Sequence, residues 1–242
     1  MANPVLLNNI DHKDLRVITR HGADLGDNRA FVQTFPAEFR QLQAHYPIIF
    51  RKNDASQAYE PIALFGFESD ENLFLEGQDW DAATVPLLVS RLPFLIGQHG
   101  EELMIHVDLD SPRVSKLEGE AVFLPHGGST PYLENINSML LAIHEGMQTN
   151  AGFIEALLTN ELLEGFSLDI TLDDGSQHRF GGFYTINEER LAALDAVTLD
   201  RLHKAGYLAA IYFQIASLSN FRALIDRKNR KNRKIAPYAA RG

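Results

Sequence analysis

Four short runs in the first half of the chain are rich in aliphatic, β-branched and aromatic residues and end at Gly, Asn or Asp. They are Leu15-Arg16-Val17-Ile18, Tyr46-Pro47-Ile48-Ile49-Phe50, Pro61-Ile62-Ala63-Leu64-Phe65-Gly66-Phe67 and Leu103-Met104-Ile105-His106-Val107. Their length, boundaries and residue types predict strands of a mostly antiparallel sheet. One helix is expected to interrupt them over Val85 to Leu92. Thr84 can cap it, Pro86 fits its first turn, and Pro93 forbids continuation past Leu92. Trp80, the only Trp, is expected against the entry of that helix.

From Pro131 the apolar spacing changes. Leu133, Ile136, Leu140, Ile143 and Met147, then Ala151, Ile154 and Leu158, recur at three and four and keep one helical face apolar. Gly146 and Gly152 predict a break between two shorter helices, because Gly weakens a helix interior. Leu168 to Leu172 and His178 to Phe180, joined by Asp173-Asp174-Gly175-Ser176, form a hairpin whose Asp-Gly supplies positive φ. Asn187 opens a helix to Leu194, and Thr198 opens another that Gly206 ends. Leu208, Ile211, Ile215, Leu218, Phe221 and Ile225 mark one final amphipathic helix. The pattern predicts an α+β fold: a mostly antiparallel, β-rich part over about 1–125, packed with a helix-rich part over about 130–226 that contains one hairpin. There is no internal repeat and no Pro- or Ser-rich linker, so 1–226 is expected to form one domain, followed by a basic tail over 227–242.

Composition narrows the chemistry. A chain of 242 residues that is 45% hydrophobic, with 15 Phe and 7 Tyr, is long enough to bury a core unaided. It has no Cys, which excludes disulfides, thiolate nucleophiles and Cys-held metal clusters, and suits a reducing compartment. The first residues lack the basic segment and apolar run of a secretory signal. Pro, Gly or charge interrupts each apolar stretch, so no transmembrane segment is expected and the cytoplasm is the expected location. Charge is uneven: 1–221 carries −17, whereas 222–242 carries +7. The acidic body disfavours nucleic acid and anionic membrane as partners.

Few motifs carry chemistry. His106 and Asp108 lie two apart on a strand and share a face, the spacing that begins a two-His, one-carboxylate Fe(II) site of oxygenases; His178 or His144 could complete it. His12-Lys13-Asp14 and His99-Gly100-Glu101 repeat that spacing, and at this acid content chance alone supplies about one such pair. His126-Gly127-Gly128-Ser129 is similar to an esterase oxyanion loop, yet the Gly-x-Ser-x-Gly turn that such a loop serves is absent, and a plain turn is the better reading. Phosphate-binding and dinucleotide-binding glycine motifs are also absent. The pairs Glu101/Glu102, Asp108/Asp110 and Glu188/Glu189 read as solvated faces. Arg227, Lys228, Arg230 and Lys231, continued by Arg233 and Lys234, form a cationic run without an aromatic to stack on bases. It reads as a solvated, frayed helix end or as an electrostatic handle for an acidic partner.

A set of segments resembles the SapC family of bacterial proteins, named for a gene in a surface-layer protein export locus. The set comprises His12-Lys13-Asp14-Leu15-Arg16-Val17, Glu38-Phe39 leading into His45-Tyr46-Pro47-Ile48-Ile49-Phe50, Ala63-Leu64-Phe65-Gly66-Phe67 before Asn72-Leu73-Phe74, and Trp80 with Val85-Pro86. Arg91-Leu92-Pro93-Phe94, Gly206-Tyr207-Leu208 and Ser217-Leu218-Ser219-Asn220-Phe221 complete it. The resemblance spans roughly His12 to Leu224. Asp81-Ala82-Ala83-Thr84 departs from the family, which commonly places a Tyr between such a Trp and Val-Pro, and His106 falls outside the shared pattern. The resemblance implies an accessory role in a bacterial uptake, modification or surface-layer-related system. The shared residues are aromatic, Pro and aliphatic, which fits a scaffold or interaction surface better than a reaction centre. A non-catalytic adaptor with a protein partner, or a homo-oligomer, is therefore the first expectation, with no cofactor. Tyr46-Pro47, Trp80, Leu92-Pro93-Phe94 and the basic run are its candidate binding residues. The alternative is a metal-dependent oxygenase using His106, Asp108 and His178 with Fe(II).

Overall fold

The computed structural model describes residues 3–99 and 102–239. The chain opens with β1 (Pro4–Leu6), β2 (Arg16–Val17), β3 (Phe31–Gln33), α1 (Phe39–Leu42), β4 (Ile48–Lys52) and β5 (Tyr59–Leu64). It continues through β6 (Leu75–Glu76), β7 (Asp79–Trp80), α2 (Leu87–Ser90), β8 (Phe94–His99), β9 (Glu102–Asp108), β10 (Val114–Ser115) and β11 (Glu120–Ala121). The rest comprises α3 (Pro131–Thr159), β12 (Leu163–Thr171), β13 (Gln177–Ile186), α4 (Glu188–Ala192), α5 (Ala196–Lys204), α6 (Tyr207–Ser217) and α7 (Asn220–Ala239). Antiparallel strands dominate the first half and helices the second, which is the α+β class that the apolar spacing predicts.

Contacts divide the chain into two compact units, each assembled from separated segments. The first takes the residues up to Asn28, Leu75–Asp81 and Leu87–Glu145. It holds two three-stranded sheets, ordered β1-β9-β8 and β10-β2-β11, and the small β6-β7 ladder. Leu15, Val17, Phe94, Val107 and Val122 bury their side chains with Leu133, Ile136 and Leu140 from the opening turns of α3. Thr130 starts that helix: its hydroxyl accepts from Leu133 N at 3.3 Å and donates to Ala121 O at 2.8 Å, and Pro131 follows where a missing N–H costs nothing.

The second unit takes Arg29–Phe74, Ala82–Pro86 and the chain from Gly146 onward. Its five-stranded antiparallel sheet runs β12-β13-β4-β5-β3, with β12 and β3 at the edges. On one face Phe50 and Phe39 meet Phe153 of α3. Near β4, the Gln214 amide of α6 donates to Ile48 O at 2.8 Å, and Ser217 Oγ accepts from Ile48 N at 2.9 Å. Phe166 of β12 stacks on Phe221 of α7 at 5.2 Å. In the hairpin the Asp-Gly turn forms, with Gly175 at φ 82, and the strands run several residues longer than the sequence suggests.

Two helical expectations are corrected. The long helix does not break at its glycines: α3 is continuous over 29 residues. A Cβ at Gly146 would stand 2.3 Å from Phe35 Cδ2, and one at Gly152 would stand 2.7 Å from the Tyr207 hydroxyl. These glycines admit neighbouring rings rather than end a helix. The final helix, conversely, is two helices. Ser217 is drawn to Ile48, and Asn220 Nδ2 donates to Gln43 O at 2.8 Å and Tyr46 O at 3.2 Å, so the chain turns between α6 and α7 to serve β4 and the loop before it. By length and composition alone, the run Tyr207–Arg233 could cross a membrane. Here that turn divides it, and Ile211, Gln214, Ser217, Phe221 and Leu224 are buried.

Candidate functional site

The residues that the sequence singles out fall in several places. His106 and Asp108 share a face of β9 in the first unit. The His106 ring lies over Gly97, where a Cβ would come 2.3 Å from its Cε1. Asp108 Oδ1 accepts from Asn3 N at 2.8 Å and Asp110 N at 3.2 Å, tying the entry of β1 to the end of β9. His178 belongs to the second unit, exposed on β13 with Nε2 3.2 Å from Ser176 Oγ. Among the described residues, no three His, Asp or Glu side chains gather in a way that could hold a metal ion. Glu101 and residues 240–242, which complete one acidic pair and the basic tail, lie outside the described residues.

The shared aromatic segments are interior. Tyr46 and Phe94 are 0% exposed, Pro47 and Pro93 are buried, and Leu92 is partly so. Tyr46 donates its hydroxyl to Thr84 O at 2.6 Å and packs on Phe65 and Phe74. Neither segment therefore presents the contact surface proposed for it. Trp80 is buried and stands edge-on to His21 at 5.3 Å. His21 Nδ1 lies 3.2 Å from the Asp27 carboxylate, which also takes the Arg113 guanidinium at 2.6 Å through both oxygens. Burial pushes the Asp27 carboxyl up, but hydrogen bonds from His21, Gly22 and Arg113 outweigh it and hold the group below its ordinary value.

The basic run is helical and largely committed, not frayed. Lys228 is buried and donates to Glu68 at 2.6 Å and Glu71 at 2.8 Å. Burial pushes its ammonium down, yet the two carboxylates lift it above the ordinary lysine value. Arg227 covers the Phe74 ring at 4.3 Å, Asn229 Oδ1 accepts from Asp173 N at 3.0 Å, and Arg233 pairs with Asp173. Arg230 is exposed, and Lys231 lies 3.6 Å from Glu71. A slot of about 150 Å³ opens between α7 and the hairpin, lined by Phe67, Ile170, His178, Phe180 and Lys228. Its buried cation is already matched by carboxylates.

A larger opening lies beside the second half of α3. This groove, about 520 Å³, is lined by Tyr59, Met147, Asn150, Ile154, Glu155 and Leu158 among others, a size within the roughly 300–1,000 Å³ of ligand sites. Leu158 is 48% exposed along it. The local chemistry begins with Pro61 in β5. The neighbouring Thr34 donates its N–H to Pro61 O at 3.0 Å, but Pro61 has no N–H to return to Thr34 O. Asn150 Nδ2 answers that carbonyl instead, at 3.1 Å, which fixes the amide orientation. Its Oδ1 is then left buried without a partner, in a side chain only 8% exposed. Such an acceptor costs about 1–3 kcal/mol. Glu155, on the same helix face, is exposed and has no ion-pair partner among the described residues.

Sequence reasoning placed Leu158 and Ile154 on an apolar stripe but missed Asn150, Tyr59 and Glu155. The available signal was Pro61, whose missing donor requires a substitute from somewhere; only the fold reveals which residue provides it.

A model of the SapC family matches residues 7–224 of the chain. No curated protein and no solved structure matches it.

Proposed function

The chain belongs to the SapC family, and from that premise we propose that it is a non-catalytic accessory protein that binds another protein in a bacterial uptake, modification or surface-layer-related system. The observation that supports this reading is the groove beside α3, predominantly apolar and lined in part by Asn150, whose buried Oδ1 has no partner among the described residues. An unsatisfied acceptor in the wall of an open apolar groove favours occupation by something that supplies a donor. Several ionisable groups elsewhere already serve the structure. Asp27, Arg113, Lys228, Glu68 and Asp108 all hold chain segments together. We propose likewise that the protein acts in the cytoplasm without a cofactor, an expectation that rests on the sequence alone.

The test is isolation of the chain's complexes from its native cells without a polyhistidine tag, followed by rebuilding of the captured pair from purified proteins. A stoichiometric complex by sedimentation, with no stoichiometric metal in the same sample, is the expected result. Stoichiometric iron together with the absence of any rebuilt protein complex would overturn the reading in favour of the oxygenase alternative. His106→Ala would then be expected to release that iron.

A further inference from the structure

We propose that the groove beside α3 binds an extended polypeptide segment of the partner, one that carries apolar side chains and a Lys or Arg. This rests on the protein-binding reading and names where and by what chemistry the partner is held. Three features of the groove select that occupant.

The first is its apolar wall. Met147, Ile154 and Leu158 recur along α3 at the spacing of one helix face, opposite Tyr59 at the start of β5. Leu158 is nearly half exposed, so an apolar side chain laid against it removes surface from water. The groove's lining residues on α3 run from Met147 to Thr159, about 18 Å at 1.5 Å per residue, a length that suits an extended chain.

The second is the acceptor. Because Thr34 O holds the Asn150 amide by its nitrogen, the oxygen is left without a partner among the described residues, buried just behind the groove wall that Asn150 helps to line, so a ligand donor reaches it where that wall yields. A main-chain N–H matches it, and an extended segment presents one at every second residue toward the same side. Met147, which lines the groove and has its Sδ 3.6 Å from Asn150 Nδ2, is unbranched and can shift within that wall. Main-chain groups of the sheet are also nearby. Gln33, which lines the groove, ends β3, an edge strand with β5 as its one sheet neighbour.

The third is charge. Glu60 is occupied by Arg51, whereas Glu155 projects on the rim without an ion-pair partner among the described residues. The groove therefore presents a carboxylate and a neutral acceptor, and it has no cation among its lining residues. A ligand cation is complementary to that set and a ligand carboxylate is not.

The experiment selects random nine-residue peptides displayed on phage against the full chain, then measures the selected peptides on three proteins. Wild type is expected to enrich peptides that alternate apolar residues with at least one Lys or Arg. Leu158→Asp is expected to weaken them at least tenfold. Glu155→Lys is expected to weaken them by a similar factor and to shift selection toward Asp and Glu. Both positions are exposed, so both variants should fold, which an unchanged melting temperature checks. N-methylation at successive peptide positions should identify one N–H whose loss costs about tenfold, the expected effect of removing one buried hydrogen bond. Selection of no peptide above a bare support, or of peptides that bind all three proteins alike, would overturn the groove assignment. A rebuilt partner complex that is also indifferent to both substitutions would leave the accessory reading standing and move the interface elsewhere. Failure of any partner complex to form, with peptide binding intact, would overturn the accessory reading instead.

Discussion

Gly146 and Gly152 show how one residue type supports opposite expectations. In an exposed helix, Gly→Ala stabilises by about 1 kcal/mol. At Gly146 the added methyl would meet the Phe35 ring at 2.3 Å, so Gly146→Ala is expected to destabilise by about 1–3 kcal/mol, the usual cost of overpacking. Chemical denaturation of Gly146→Ala, Phe35→Leu and the double variant measures this, and the double variant should lose less than the sum. A gain of stability in Gly146→Ala would instead show that the Phe35 ring gives way and only the better helix propensity of Ala remains. Asp27 offers a second residue-scale test. Its folded carboxyl lies below its ordinary value, so its contribution is present above the unfolded pKa and is lost as pH falls through the folded one. Arg113→Ala leaves that carboxylate buried with one strong partner gone and is expected to cost about 3–5 kcal/mol. The cost should shrink below about pH 4, where the unfolded carboxyl binds its proton. The sequence contains both residues, but 86 positions separate them, and nothing in local spacing pairs them.

At the scale of elements, the strands β2, β4, β5, β9, β12 and β13 and the starts of α3 and α4 were legible because periodicity and capping are local, whereas the short strands between them carry too few residues to show a period. Asn187 caps α4 through Arg190 N at 2.8 Å, as its position before Glu188 suggests. Asp195 rather than Thr198 caps α5, accepting from Thr198 N. The boundary between α6 and α7 was not legible, since the apolar spacing runs straight through it and only the hydrogen-bonding needs of Ile48, Gln43 and Tyr46 turn the chain there. The same limit applies to the basic run, where composition suggests a solvated end while Glu68 and Glu71 hold Lys228. Lys228→Ala is expected to lower stability by about 1–3 kcal/mol by leaving buried Glu71 with only the more distant Lys231. Arg230→Ala, at an exposed site on the same helix, should stay within about 0.5 kcal/mol of wild type. Thermal melts of the two variants compare a structural with a solvated cation directly.

For the molecule as a whole, the two units are interleaved in sequence, because the chain passes between them at 28–29, 74–75, 81–82, 86–87 and 145–146. No single cut isolates either one. A chain of residues 146–242 keeps β12, β13 and the later helices but lacks β3, β4 and β5. It is expected to show helical circular dichroism without a cooperative melt. A chain ending at Asp226 loses Lys228 and Asn229, both buried, and should melt several degrees lower than the full chain, in line with roughly 2–4 °C per kcal/mol for a protein of this size. The basic C-terminal segment and the acidic body likewise partly cancel on folding, with Lys228 and Arg233 reaching acids that are distant in the chain. Class and element types were therefore readable from the sequence, while the groove was not. It depends on α3 lying against strands that begin some ninety residues earlier.

Pro61 links these scales. A ring closed on one nitrogen removes a rung from the ladder between β3 and β5, and the helix beside it supplies the missing rung from a side chain. Pro61→Ala would restore the backbone rung and relieve Asn150 of that duty. The freed amide could then turn either end outward, and a surface selective for donors would become one that accepts donors and acceptors alike. Under the proposed reading, selectivity in the groove would be set by an atom that never touches the ligand.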